Sequence, residues 1–173
     1  LYLELILALR HHEYAERSKG RPLAGTGRLV ARFRGLAGFE FTRAQERVLA
    51  EILKDMGSDR CMNRLLQGDV GSGKTVVALC SMLVAIESDT QAAMMAPTEV
   101  LATQHFLGWR DRLEKLEVEA RLLTGSTRQS ERTETLAGLA SGQVQLVFGT
   151  HALIESGVQF RRLGLVVVLS LIH

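Results

Sequence analysis

The hydrophobic positions between residues 42 and 56 repeat with the period of a helix. In the stretch TRAQERVLAEILKDM they form a single stripe, made of Val48, Leu49, Ile52, Leu53 and Met56. Thr42, with Gln45 three residues later, fits a capping box, in which each side chain accepts a hydrogen bond from the other residue's backbone N–H. The pattern therefore predicts an amphipathic helix that begins just after Thr42.

Downstream of this helix, short apolar runs alternate with helical stretches. The runs predicted as strands are NRLLQ, AAMMA, VEARLLT, VQLVFGT and LGLVVVL. The helices between them are predicted from Lys74 to about Glu87, from Thr98 to Leu116, and from about Arg128 to Ser141, closed by Gly142. Runs such as QLVF and LVVVL lack polar alternation, which is typical of strands covered on both faces. The order β-α-β-α-β-α-β-β thus predicts an α/β fold, a parallel sheet with helices on both faces.

The first 38 residues differ from the rest in composition. The opening LYLELILALRHHEYAERSKG has the pattern of an amphipathic helix, and the following stretch to Gly38 is rich in Gly and Arg and contains Pro22. We predict a domain boundary near residue 38, with a helical connector at 1–38 and a globular lobe from residue 39.

Composition narrows the function classes only slightly. The chain has 173 residues, 46% of them hydrophobic and 23% charged, as expected of one soluble globular domain. A net charge of +2 permits contact with a polyanion but does not require it. Cys61 and Cys80 lack a Cys-x-x-Cys pair or neighbouring His pair, which favours reduced thiols of a cytosolic chain over a zinc site. No apolar run reaches the length of a membrane span.

One loop matches the phosphate-binding pattern G-x-x-x-x-G-K-[ST] between a predicted strand and a predicted helix. Its residues are Gly68, Asp69, Val70, Gly71, Ser72, Gly73, Lys74 and Thr75. The three glycines allow positive φ angles that turn backbone N–H groups inward, towards an anion at the start of the helix. Lys74 is then expected to reach the β and γ phosphates of a nucleotide, and the Thr75 hydroxyl to bind Mg²⁺. The alternative is a Gly-rich turn with a surface lysine.

Several ordered motifs resemble the first motor domain of the RecG family of bacterial DNA helicases, within superfamily two. They are FEFTRAQERVLAEI, MNRLLQGDVGSGKTVVA, MAPTEVLATQH, LLTGS and VFGTHALI, and the resemblance covers residues 39–168. It implies a RecA-like lobe that binds ATP and Mg²⁺. It also implies a bacterial cytoplasmic motor, acting as a monomer, that remodels branched duplex DNA such as forks and Holliday junctions in recombination and repair. The transcription-repair coupling translocases are an alternative family with a similar loop.

The resemblance also implies residues that recognise the base. Gln45 matches the glutamine that reads the adenine edge, and Phe41, like Phe39, is a candidate aromatic for packing on the base. An amide is suited to this role because it pairs with both a donor and an acceptor. The alternative is that Gln45 only completes the capping box, and the two roles coexist if the amide swings on nucleotide binding.

Three segments at predicted strand ends resemble the family's DNA-contact motifs. They are Pro97, Thr98 and Glu99, then Thr124, Gly125 and Ser126, then Gly149, Thr150 and His151. We expect Thr98 to cap the next helix, so that backbone N–H groups near it face a DNA phosphate. The alternatives are a capped helix without a ligand and, for His151, a histidine satisfied within the rim.

In the family, the segment that matches LGLVVV is followed by Asp-Glu-x-His. This sequence departs from the family pattern at that point. Leu169 and Ser170 take the two acidic places, and no Asp or Glu follows Glu155. The ending LSLIH equals the translation of a widely used transposon-based sequencing adapter, so we hypothesise that 169–173 is a non-native tail.

The lobe is thus predicted to stop before the acidic motif, without the second motor lobe and the N-terminal wedge domain of the family. The intact protein would hydrolyse ATP, whereas this chain would not. The alternatives are a nucleotide-binding module that does not hydrolyse ATP and a small-molecule phosphotransferase.

Overall fold

A computed structural model of the protein describes residues 20–69 and 71–169. The predicted N-terminal helix, Val70 and residues 170–173 of the hypothesised tail lie outside the described residues. Those residues form two compact units, one from 20–24 with 41–81 and the other from 25–40 with 82–169. Within the described ranges, no helix is long and apolar enough to span a membrane.

The secondary structure consists of helices interleaved with short strands. The helices are α1 (Arg28–Ala37), α2 (Arg43–Met56), α3 (Lys74–Glu87), α4 (Glu99–Lys115) and α5 (Gln129–Ser141). The strands are β1 (Gln91–Met95), β2 (Ala120–Leu123), β3 (Leu146–Gly149) and β4 (Leu163–Val168). The bounds of α3, α4 and α5 agree with the sequence prediction to within about one residue.

In the first unit, α2 begins with the predicted capping box. Thr42 accepts a hydrogen bond from the Gln45 N–H, and the Gln45 side chain accepts one from the Thr42 N–H. The buried residues of α2 are Leu49, Ile52 and Met56, which belong to the predicted stripe. The amphipathic prediction for this helix is therefore confirmed.

The predicted strand NRLLQ is not formed. Residues 61–69 have no regular secondary structure, and Leu65 is 79% exposed. A strand requires a neighbour for its backbone hydrogen bonds, and within the described residues this segment has no strand partner. Its Arg64 side chain instead binds Asp55 and Glu51 of α2.

The second unit is built on a parallel sheet with the strand order β2-β3-β1-β4. Four of the five predicted strands are therefore confirmed. The pairing places Ala93 beside Val147 and Met94 beside Phe148. All four of these residues are buried, so β1 and β3 form the centre of the sheet.

Helices cover both faces of this sheet. Because successive side chains of a strand point to opposite faces, Val147 and Phe148 face different layers. Val147 packs in a core cluster with Leu139 of α5. The Phe148 ring makes an edge contact with Phe106 of α4, with 5.9 Å between centroids. The predicted arrangement of helices on both faces is confirmed.

The edge strand β4 is less covered than predicted. Its residues Leu163, Val166 and Val168 are 44%, 50% and 61% exposed. The prediction of burial on both faces is thus right for β3 but wrong for β4 in the described part of the chain. The ladder beside β1 continues past β4, since the Leu169 N–H donates to the Met95 carbonyl at 2.8 Å.

The stretch predicted as a connector contains helix α1. Its Phe33 is fully buried and contacts the Trp109 ring of α4, with 5.7 Å between centroids. The Glu87 carboxylate accepts hydrogen bonds from the N–H groups of Gly27 and Leu29, at 2.8 and 2.6 Å, at the start of α1. The two compact units do not divide at residue 38, and the boundary proposed there stays a prediction.

Candidate functional site

The phosphate loop takes its shape from two glycines at positive φ. Gly71 and Gly73 both have φ of 81°, in the region that L side chains rarely adopt. The same expectation for Gly68 is wrong, because its φ lies outside that region. A Cβ at Gly68 would come within 2.9 Å of the Ser72 hydroxyl oxygen, which a change of the Ser72 rotamer would relieve.

Lys74 is turned back onto the loop that precedes it. Its ammonium group donates to the carbonyl oxygen of Asp69 at 2.7 Å and to that of Gly68. Both acceptors are neutral, and among the described residues no carboxylate lies within ion-pair distance of Lys74. A phosphate group can therefore replace the two carbonyls and neutralise the charge.

The start of α3 supplies the backbone donors for such an anion. The N–H groups of Val76 and Val77 donate to the Gly73 carbonyl, at 3.0 and 3.3 Å. Those of Lys74 and Thr75 precede the first intrahelical bond, so they have no partner within the helix and lie at its positive end. Glycines at positive φ, a lysine held by neutral groups and a helix start together fit the polyphosphate of a nucleotide.

Gln45 connects the capping box to the phosphate loop. Its amide oxygen accepts from the Thr42 N–H at 2.9 Å, while its amide nitrogen donates to the Ser72 carbonyl at 2.9 Å. A capping role alone therefore does not explain both hydrogen bonds of the Gln45 amide. The half-buried Phe41 precedes Thr42 directly, and the adenine contacts of Phe41 and Gln45 remain predictions.

The three segments predicted to contact DNA follow β1, β2 and β3. Since these strands are parallel and adjacent, the segments lie at one edge of the sheet, which we call the strand-end rim: residues 97–99, 124–126 and 149–151. Pro97, Thr98, Gly125, Ser126 and His151 of the rim are exposed.

Two rim residues point inward instead. Thr124 and Thr150 are only 3% and 2% exposed. The Thr124 hydroxyl lies 3.1 Å from that of Ser126, and the Thr150 hydroxyl accepts from the Ala152 N–H. Gly149 is packed so closely that a Cβ would lie 2.3 Å from the Leu123 carbonyl oxygen. These three residues shape the loops, and their contacts with DNA remain predictions.

Thr98 caps α4 as predicted, since its hydroxyl accepts from the Leu101 N–H at 3.3 Å. The next residue, Glu99, reaches across the end of β3 to the loop after β2. Its carboxylate accepts from the Ser126 hydroxyl at 2.6 Å and from the Ser126 N–H at 3.2 Å. These bonds lower the pKa of Glu99, with smaller contributions from the Gly125 N–H and from His151.

The sequence matches the DEAD/DEAH box helicase family over residues 42–168, which include the phosphate loop and the whole rim. The chain belongs to the DEAD/DEAH box helicase family.

Relatives within this family are bacterial RecG proteins. The chain is 46% identical to the ATP-dependent DNA helicase RecG of Synechocystis sp. over 96% of its length, and 44% identical to that of Streptococcus pneumoniae over 96%. It also matches a solved structure of RecG bound to a three-way DNA junction, with 43% identity, 91% of the chain covered and a TM-score of 0.85. The resemblance to RecG and the RecA-like fold expected from it are confirmed.

The chain spans only part of these helicases. It covers 20% of the Synechocystis protein, 25% of the Streptococcus protein and 22% of the chain in the DNA complex. No cluster of three or more His, Cys, Asp or Glu side chains suited to a metal ion occurs in the part of the chain that the structure describes.

Two contacts in the helicase lobe were not anticipated from its sequence. Gln45 to Ser72 and Glu99 to Ser126 each join residues 27 positions apart. All four residues lie in recognisable motifs, but the motifs do not show which side chains meet.

Proposed function

We propose that the chain is the nucleotide-binding lobe of an ATP-dependent DNA helicase of the RecG type. The whole protein would remodel branched DNA, such as forks and junctions, in recombination and repair. The observation that carries this proposal is the phosphate loop at the start of α3, with Lys74 held only by neutral carbonyls. The similarity of the chain to a RecG helicase over 96% of its length supports DNA as the substrate.

The phosphate loop would hold the nucleotide through distinct groups. The N–H groups around Gly71 and Gly73 would face the phosphates, and Lys74 would exchange its carbonyl partners for phosphate oxygens. Thr75 would bind Mg²⁺ through its hydroxyl, the other ligands being phosphate oxygens and water. When bound, ATP would supply a cleavable γ phosphate, and Mg²⁺ would neutralise charge on the phosphate oxygens.

The 173-residue chain is proposed to bind ATP without hydrolysing it. Leu169 and Ser170 stand where the family has acidic residues that support Mg²⁺ and activate water, and neither side chain does either. The same observation supports the second candidate function, a nucleotide-binding module that never hydrolyses ATP. Mg²⁺-dependent release of phosphate from ATP by this chain would contradict the proposed lack of hydrolysis and the second candidate function alike.

Nucleotide binding is tested by titrating a fluorescent ATP analogue with Mg²⁺ into the unmodified chain and into Lys74→Ala. One or two charge-assisted hydrogen bonds are lost, so we expect affinity to fall by at least about tenfold. Lys54→Ala, which removes an equal charge from α2, serves as the matched control and should bind as the unmodified chain does. Equal affinity of Lys74→Ala and the unmodified chain would refute the nucleotide site.

DNA binding at the strand-end rim is proposed separately. Exposed N–H and hydroxyl groups of the rim are suited to hydrogen bonds with the phosphates of a DNA backbone. The whole protein would act as a monomeric motor in the bacterial cytoplasm. We expect the chain to bind a short fluorescent duplex at low salt and to lose affinity as salt rises. A folded chain that does not change the anisotropy of that duplex at low salt would refute DNA contact by this lobe.

A further inference from the structure

The carboxylate of Glu99 occupies hydrogen-bond donors of the loop after β2. It accepts hydrogen bonds from both the hydroxyl and the N–H of Ser126, at 2.6 and 3.2 Å. This loop follows β2, whereas the start of α4 follows β1, and the end of β3 lies between them in the sheet. A side chain from one DNA-contact segment therefore saturates the donors of another.

These donors are of the kind that a DNA phosphate uses. Backbone N–H groups and serine hydroxyls make many of the phosphate contacts in protein–DNA complexes. Gly125 and Ser126 are both exposed, so the backbone of a DNA strand passing along the rim could reach them. The carboxylate has the charge sign and the acceptor geometry of a phosphate, and its place on these donors is the place a phosphate would take.

Within the described part of the chain, basic side chains offset this negative charge only weakly. Among the described residues, no Lys or Arg lies within ion-pair distance of Glu99. Among the described residues, His151 makes the smallest of the contributions that lower the pKa of Glu99. An approaching phosphate would thus meet repulsion as well as occupied donors.

We propose that Glu99 is an internal competitor of the DNA backbone: it occupies the hydroxyl and N–H donors of Ser126 and so weakens the binding of DNA at the rim. The inference rests on the proposed DNA-binding function of this rim. A translocating motor must release each phosphate before it takes the next, and a competing carboxylate on the same donors makes that release easier. Glu99 acts on DNA through Ser126, so it is a positioning residue.

The first test compares duplex affinity of the unmodified chain, Glu99→Gln and Glu114→Gln by fluorescence anisotropy. Gln keeps the length and one acceptor oxygen of Glu99 but removes the charge. We expect Glu99→Gln to bind the duplex about fivefold more tightly, as for removal of one charge close to a phosphate in a water-like dielectric. Glu114→Gln, the same change at an exposed position of α4, should alter affinity by less than about twofold.

The second test asks whether the gain depends on the donors. In a Ser126→Ala background the hydroxyl that Glu99 occupies is missing while its charge remains, so the gain from Glu99→Gln should be smaller than in the unmodified chain. If Glu99 only stabilised the structure of the rim, the opposite would be expected, because Glu99→Gln would then leave duplex affinity unchanged or weaken it. Unchanged or weaker duplex binding by Glu99→Gln, or an equal gain from Glu114→Gln, would overturn the proposal.

A measurement without DNA separates this inference from the proposed function. Inorganic phosphate is titrated into ¹⁵N-labelled chains, and the amide signals of Gly125 and Ser126 are followed. They should shift in Glu99→Gln but not in the unmodified chain, with Glu99→Ala as a second variant. If they stay fixed in both variants, the donors are not an anion site and the inference fails even if the duplex binds. If they shift while no chain binds the duplex, DNA contact fails and the competing role of Glu99 towards anions stands.

Discussion

The phosphate loop and the strand-end rim are both suited to phosphate groups, but their charges are arranged in opposite ways. In the phosphate loop a cation, Lys74, is held by the neutral carbonyls of Gly68 and Asp69. In the rim an anion, Glu99, is held by the neutral donors of Ser126. A phosphate that enters the loop gains an unneutralised cation, whereas one that enters the rim must displace a carboxylate. The difference is consistent with the proposed function, in which the nucleotide would be held firmly and DNA only briefly.

The backbone differs between the two regions as well. The loop depends on positive φ at Gly71 and Gly73, whereas the rim is shaped by side-chain caps, with Thr98 and Thr150 accepting N–H groups of the following turns. Replacing Gly71 or Gly73 should therefore strain the backbone of the loop, whereas removing the Glu99 charge should free donors in the rim.

The largest effect is expected from Gly73→Ala. The φ of 81° is unfavourable for alanine, and the new Cβ would lie 2.1 Å from the Gln45 amide nitrogen. We expect nucleotide affinity to fall by more than about tenfold, because the amide must leave the Ser72 carbonyl and the loop must change shape. The fluorescent ATP analogue measures this loss.

Gly71→Ala is the matched control for that change. Gly71 has the same φ but open space around its Cβ position, so both variants should lose about 1–2 kcal/mol of stability in thermal unfolding from backbone strain. Only Gly73→Ala should also lose the Gln45 contact. Equal losses of nucleotide affinity in the two variants would show that this contact does not hold the loop.

A smaller effect separates the two roles of Gln45. Gln45→Glu keeps an acceptor for the Thr42 N–H but loses the donor to Ser72 and adds negative charge near the loop. We expect nearly unchanged stability and about fivefold weaker nucleotide binding. Gln45→Ala also removes the capping box, which should lower the free energy of unfolding by about 1 kcal/mol. If Gln45→Glu binds the analogue as tightly as the unmodified chain, Gln45 is only a cap.

The smallest effect concerns acid stability of the rim. Hydrogen bonds from Ser126 lower the pKa of Glu99 below the ordinary value of 4.5, so the ionised carboxylate stabilises the folded chain above about that pH. This contribution is lost as the pH falls through the lowered pKa. The thermal midpoint of the unmodified chain should therefore fall further below about pH 4.5 than that of Glu99→Gln.

Glu114→Gln, a carboxyl removed from elsewhere on α4, is the control for the pH series. Its thermal midpoint should follow that of the unmodified chain. Parallel pH profiles of all three chains would mean that the Glu99 bonds to Ser126 add nothing to the fold.

Local signals predicted much of this fold. The Thr42 capping box, the Thr98 cap and the Gly142 turn each depend on residues within four positions of one another, so the ends of α2, α4 and α5 follow from the sequence. The central strands follow from uninterrupted apolar runs, because β1 and β3 are buried on both faces.

Longer-range contacts account for the failures. Helix α1 lies in a Gly- and Arg-rich stretch, although its buried positions Leu29, Val30, Phe33 and Ala37 have helical spacing that could have indicated it. Its Phe33 packs on Trp109, which no local pattern reveals. The run NRLLQ failed as a strand because strand formation depends on a neighbour, not on two leucines.

The candidate site was predicted in its residues but not in its contacts. The motifs named Lys74, Gln45 and Glu99, since the loop pattern and the family resemblance are sequence properties. They could not show that Lys74 turns back onto its own loop or that Glu99 reaches Ser126, because both depend on how separate segments are brought together.

The most direct test of this account is a titration of inorganic triphosphate with Mg²⁺ into the unmodified ¹⁵N-labelled chain, following backbone amide shifts in both regions. The opposite charge arrangements predict that the amides of 71–75 shift first, while those of Gly125 and Ser126 stay fixed at the same concentrations. If Gly125 and Ser126 respond as early as the loop, or if the loop does not respond at all, the account is contradicted.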